Sequence, residues 1–440
     1  MMPVPAMDRN QFGRALHLGL GRAILYARNH AASDFRDVIL DACLHCYAFD
    51  PQVEGTRAFY MLDLLDAIPD RKFYCEEVLK ALPGCGDDRD AVQRFHFAAR
   101  LALDGDNRAK RAMYESFEPG PQEGESIAID FLQMDGLGGL LFAAEKIGAL
   151  VTAGGSAVDL GYLLSQSVEL CGEKETLEAL RAAGQRNPRI EAYRLAVETE
   201  RRPETGSGER DRIKTLSYEQ LKRELSAVKL YRLWAWGEHA SDDDLGHAAR
   251  GLIAAQDAAE QLAHLRIFAR RRFPLDHLIL LQLAASDQTQ MAVAATKALS
   301  HIAHPSVREL AFRLVRDRLP GRRDAIELLA ANFEPGDHDI VLDWFEAEDD
   351  PDVLHSMGMD LEDFWDRHPE GGTVARMLCR LYENGPCSFC REGAVRRLIE
   401  RGALPDEMRD ECALAANEEI RELVASHEPP NPDSPTPAPG

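Results

Sequence analysis

Cysteine is the residue type whose spacing here could hold a metal. The segment Gly385 to Gly402, GPCSFCREGAVRRLIERG, carries Cys387 and Cys390 three positions apart, with Cys379 before it and Cys412 after it. Two thiolates in a C-x2-C pair supply half of a tetrahedral shell, so Cys379, Cys387, Cys390 and Cys412 are the candidate ligands of a structural zinc. Such sites usually present two close pairs, whereas Cys379 and Cys412 are each single. On a helix, Cys387, Cys390, Ala394 and Leu398 fall on one stripe, where a reduced cysteine packs as a small hydrophobe. Core packing is the expected role and zinc the competing one; no other cofactor is expected. Cys43 and Cys46 follow Ile39 and Ala42 at helical spacing, with His45 turned elsewhere, and are read the same way.

Two charged segments are candidates for binding. Residues 337 to 352, DHDIVLDWFEAEDDPD, hold eight carboxylates and no Lys or Arg, with Trp344 and Phe345 among them. Asp337, Asp339, Asp343, Trp344, Glu346, Glu348 and Asp349 form a candidate surface for a cationic partner, the acids steering the encounter and the aromatic adding contact area. The competing reading is a solvated helix face with the aromatics turned inward. The segment LRIFARRRF offers Arg266, Arg270, Arg271 and Arg272 to an anion, to nucleic acid or to the acidic helices of the same chain. Across 440 residues the net charge is −23, which repels nucleic-acid phosphates and favours a cationic protein or peptide.

Other chemistry is not legible. There is no G-x-S-x-G elbow, no G-x4-G-K-[ST] phosphate loop and no H-E-x-x-H helix. Nine scattered cysteines do not make the framework of a small secreted domain, and the N-terminus lacks the pattern of a secretory signal. A cytoplasmic, reduced protein is expected. The most apolar stretch, Leu137 to Val151, is interrupted by Glu145 and Lys146 and is shorter than the ~20 residues a span requires, so no membrane span is expected.

The elements that must position these residues read as helices throughout, since period-two runs of β-branched residues are nearly absent. In HPSVRELAFRLVRDR the stripe Val307, Leu310, Ala311, Leu314 and Val315 faces a core. Its opening recurs as DPQV at Asp50, NPRI at Asn187 and DPDV at Asp350, and without proline as NEEI at Asn417. Asp or Asn caps the free amides of the first turn, proline at the first helical position loses no needed donor, and the apolar residue opens the stripe.

The pattern Asp/Asn-Pro-x-Val followed by Arg and small apolar residues resembles the second helix of a HEAT-repeat hairpin. HPSVRELAFRLV carries it best, and DQTQMAVAATKALSHI, with Met291, Ala295, Leu299 and Ile302 on one stripe, supplies the first helix. The resemblance spans residues 241 to 426. It implies an all-α fold, a HEAT-like α-solenoid of stacked helical hairpins with a divergent helical N-terminal half, although 46 residues separate Pro305 from Pro351 and 35 separate Pro351 from Pro386. The expected organisation is a divergent helical domain at 1–199, a linker at 200–211, a repeat domain at 212–428 and a disordered tail at 429–440. Enzymes of HEAT type offer little purchase: hydroxylases of deoxyhypusine bind iron through repeated His-Glu pairs, and the single such pair here is His427-Glu428. Alkylpurine glycosylases need a basic face for DNA, and bilin lyases are neither supported nor excluded. The resemblance implies a non-catalytic interaction or scaffold protein, in the charge-based version an inhibitor or immunity protein for a basic effector. The alternatives are a metal-binding or enzymatic protein using Cys387 and Cys390, and nucleic-acid binding through the arginine segment.

Overall fold

The structure is a computed structural model that describes residues 6–30, 32–50, 54, 57–83, 88–120, 124–155, 160–200, 211–225, 228–369 and 373–427. The interior of the expected linker, the expected tail, and Pro51, Gln52 and Val53 of the DPQV quartet lie outside the described residues. Among those described the regular structure is helical, with two short 3-10 turns and no strand, so the fold is all-α. No helix described is long and apolar enough to cross a membrane.

The helix starts read at Asn187, His304, Asp350 and Asn417 are helix starts in the structure. Asp350 accepts from the amides of Asp352 and Val353 at the head of Pro351–Arg367, and His304 caps Pro305–Arg316 through Ser306. Asn187 Oδ1 accepts from the Arg189 amide (3.0 Å), and Asn417 accepts from Ile420. Behind the His304 cap the apolar stripe is inside: Val307, Leu310, Ala311 and Leu314 are buried and Val315 is half-buried. Met291, Ala295 and Leu299 of the preceding helix are buried too, as is Ile302 just after it.

The chain divides into two compact units. One comprises Met1–Pro203 with Cys387–Glu392 and Ile399–Gly440. Its largest core gathers Phe95, Phe117, Phe131, Leu140, Ile147 and Tyr193. Helix Leu137–Thr152 runs through it against Gly124–Asp135 and Pro188–Glu200. The approach is close enough that a Cβ on Gly139 would stand 1.8 Å from the Phe131 carbonyl oxygen, and one on Gly148 1.8 Å from that of Arg189. Only a residue without a side chain fits either place.

The same unit ties distant parts of the chain together. The Ala416 amide donates to the Gly19 carbonyl (2.9 Å), and Arg22 Nε sits 2.9 Å from both carboxylate oxygens of Glu411. Beneath lies a buried charge group in which Arg57 pairs with Glu54 and donates to the Leu16 carbonyl (3.0 Å), while Arg391 Nη2 lies 3.7 Å from Glu54 Oε2.

The other unit comprises Glu204–Pro386 with Gly393–Leu398. Helix Leu230–His239 packs on Ala258–Ile267, which packs on Thr289–Leu299; that helix packs on the 3-10 turn Pro320–Asp324, which, with Ala325–Ala330, packs on Pro351–Arg367. Polar ties join residues about one such step apart. His301 reaches the Ala269 carbonyl (3.2 Å), Asn332 the Ile302 carbonyl (3.0 Å) and His338 the His368 carbonyl (3.0 Å), at separations of 32, 30 and 30 residues.

Candidate functional site

An open groove of about 540 Å³ runs along Pro305–Arg316. Residues 304, 308, 309 and 312 share one face of that helix because they stand three or four apart. They are His304, Arg308, Glu309 and Phe312, and the facing wall is the turn carrying Asn332, Phe333 and Glu334. Asn332 fixes that turn, donating to the Ile302 and Leu328 carbonyls (3.0 and 2.9 Å) and accepting from the His304 amide (2.6 Å). Phe333 is held by the His368 ring, stacked at 4.0 Å. Both walls are therefore set by packing and hydrogen bonds, so the groove is formed without a ligand.

Its electrostatics follow from which charges are already engaged. Arg308 makes a bidentate pair with the buried Asp337 (2.6 and 2.8 Å) and donates to the Asn332 carbonyl (2.9 Å). That pair cancels inside the protein. Glu334 touches the same guanidinium at 3.2 Å but is largely exposed, and Glu309 is exposed with no ion pair among the described residues. Phe312 meets the edge of Trp344 at 5.3 Å, extending the aromatic surface to the helix Asp337–Ala347. The result is a groove with aromatic walls, the exposed Glu309 at its rim and Glu334 sharing the Arg308 guanidinium with Asp337.

The acidic residues singled out from the sequence divide into two sets. Asp339 pairs with Arg376 (3.1 Å), Glu346 with Arg380 (3.0 Å), Glu348 with Arg322 and Arg318 (2.9 and 3.1 Å), and Asp349 with Arg318, beside the Asp337 pair already described. These carboxylates tie neighbouring helices of one unit. Asp343 is exposed and makes no ion pair among the described residues, and Trp344 is half-buried against Phe312, through which it adjoins the groove.

The arginine segment is engaged in the same way. Arg270 pairs with Glu238 (2.8 Å) and lies 3.7 Å over the Trp234 ring, and Arg271 pairs with Asp242 (3.2 Å). Arg266 is half-buried and Arg272 exposed, and neither makes an ion pair among the described residues.

Cys387 and Cys390 are buried with their Sγ atoms within 4.8 Å of each other, and Cys412 is buried in the same unit. Cys379 is half-buried in the other, where burial and then Glu383 push its thiol above the ordinary range. Every cysteine described is free of disulfides.

Glu309 and Phe312 lie in HPSVRELAFRLV, where the sequence signal is the buried stripe, and neither they nor Asn332 and Phe333 are singled out for binding by sequence. The readable trace was ANFEPG, a turn composition carrying an aromatic between two helices. Compared with known proteins, the chain matches no family model, no curated protein and no solved structure.

Proposed function

We propose that this chain is a non-catalytic binding protein built on HEAT-like helical hairpins, and that the Pro305 groove receives an extended, basic segment of a protein partner. The groove carries this reading: its arginine is held by Asp337, while Glu309 and Glu334 are exposed beside Phe312 and Phe333, with Trp344 against Phe312. A lysine or arginine side chain finds carboxylates there and an apolar neighbour finds the rings. The array itself is supported by ties that recur at about 30 residues, near the 33–34 of compact helical repeats and below the 40–47 of HEAT repeats. Stacked hairpins expose long grooved surfaces of this kind. An inhibitor or immunity protein for a basic effector fits the charge of −23.

Fluorescence anisotropy with labelled twelve-residue peptides tests it, one series of Lys, Leu and Gly and a matched series with Glu for Lys. The basic series should bind and weaken with added salt. The double substitution Glu309→Arg, Phe312→Ala should lower the affinity roughly tenfold or more. Equal binding of the acidic series, or indifference to the double substitution, would sink the proposal.

A further inference from the structure

Lys297, Asp324, Glu327 and Asp360 converge inside the second unit. Asp324 ends the 3-10 turn Pro320–Asp324, Glu327 follows one turn later in Ala325–Ala330, and Asp360 lies within Pro351–Arg367, which packs on both. One carboxylate oxygen from each acid lies within 4.8 Å of the others. Lys297 pairs with Glu327 and stands 3.8 Å from Asp324 Oδ1. Asp324 is 8% exposed, and although it occupies the N-cap position of the short helix, its side chain caps nothing.

Two observations show that this group is not complete in itself. The Oδ2 atoms of Asp324 and Asp360 are both inaccessible to solvent and both lack a hydrogen-bond partner. Among the described residues Asp360 makes no ion pair; Lys297 is the cation in contact with the group, and Arg266 and Arg323 act on Asp324 only from further off. Unpartnered buried carboxylates are costly and must be neutralised by protons or by a cation. Burial does raise both acids, Asp324 to about 6 and Asp360 well above its usual range. The donor set, however, is that of a hard cation, with three side-chain oxygens and no sulfur or imidazole. Oxygens on opposite sides of an ion bonded at about 2.0–2.6 Å stand roughly 4–5 Å apart, so the observed spread fits one coordination sphere.

We propose that Asp324, Glu327 and Asp360 form a binding site for a hard divalent cation of the Mg²⁺, Mn²⁺ or Ca²⁺ class, and that Lys297 is the internal counter-ion the metal displaces. This goes beyond the peptide groove and shares no residue with it. The site has no catalytic role to explain; the cation would cross-link the 3-10 turn, the short helix and the long helix behind them.

The test is a Mn²⁺ titration of the EDTA-treated, dialysed full-length protein, with free Mn²⁺ read by electron paramagnetic resonance and folding checked by circular dichroism. Wild type should show one site tighter than the background of surface acids. Asp360→Asn should weaken that site by roughly tenfold or more, as loss of a ligand does, with Asp324→Asn as the second variant should the first fail to fold. Lys297→Met should tighten it several-fold, because a like charge is removed from the ion's neighbourhood. A purely structural acid–lysine cluster predicts otherwise: Lys297→Met would only destabilise, and Mn²⁺ binding would be the same in Asp360→Asn as in wild type. Either of those results, or no Mn²⁺ bound by the wild type at millimolar concentration, overturns the proposal.

Discussion

Burial fixes the protonation of His264. Its Nδ1–H donates to the Glu260 carbonyl (2.8 Å), and its Nε2 accepts from the Tyr218 hydroxyl (2.9 Å). Desolvation lowers its pKa below the ordinary imidazole value, against the opposing pull of Glu260. The unfolded chain therefore takes up a proton near pH 6.5 that the folded one refuses until lower pH, so the stabilisation is present above about 6.5 and is lost as pH falls. In urea denaturation the wild type should lose more stability, or gain less, between pH 7.5 and pH 5 than His264→Gln does. His17, lowered by burial, adds to the loss in both proteins, whereas Asp324 and Asp360, raised by burial, oppose it in both. The pocket around this histidine has no spare room, since a Cβ on Gly251 would stand 2.0 Å from the Tyr218 hydroxyl and 2.5 Å from His264 Nε2. Gly251→Ala should cost about 1–3 kcal/mol by the same assay. At this scale the sequence was partly legible. Asp360 falls on the buried stripe of Val353, Met357 and Phe364, and a carboxylate on such a stripe is a visible anomaly. Its partners Lys297, Asp324 and Glu327 were not visible, because no local spacing connects them.

Between helices, the Arg308–Asp337 pair shows what an acidic segment is for in this protein. Asp337 is fully buried, and Arg308 is mostly so. Removing one partner of such a pair leaves the other buried and uncompensated, which costs about 3–5 kcal/mol, whereas replacing both with apolar residues costs much less. Chemical denaturation of Asp337→Ala, Arg308→Met and the double variant should therefore give a strongly non-additive cycle. The caps are a smaller version of the same dependence. Asn417→Ala removes the acceptor for the Ile420 amide (2.8 Å) at a buried helix start and should cost about 1 kcal/mol, more than a substitution at an exposed position. Helix starts were readable because cap, proline and stripe occupy adjacent positions. The fate of the acids was not, since the arginines that meet them lie 26 to 37 residues away, where charge patterning along the chain gives no register.

For the molecule as a whole, periodicity reported the all-α class, because each buried face repeats every three or four residues. It could not report what covers each face. Helices Asp406–Cys412 and Glu418–Ser426 belong to the unit that begins the chain, and a Cβ on Gly21 would stand 2.0 Å from the Glu411 carbonyl oxygen. Ending the chain after Gly402 should therefore loosen Arg9–Leu18 and Arg22–Asn29, read as faster amide hydrogen exchange in those helices than in the full chain; unchanged exchange would mean the returning helices add nothing. The return also sets an order in time. During synthesis at ~5–20 residues per second, the ribosome must add the whole of residues 204 to 398, roughly 10 to 40 s of work, before the helices that complete the first unit exist. The half of the protein that is made first is thus among the last parts to be finished, and in that interval its uncovered apolar faces are open to chaperones and to other nascent chains.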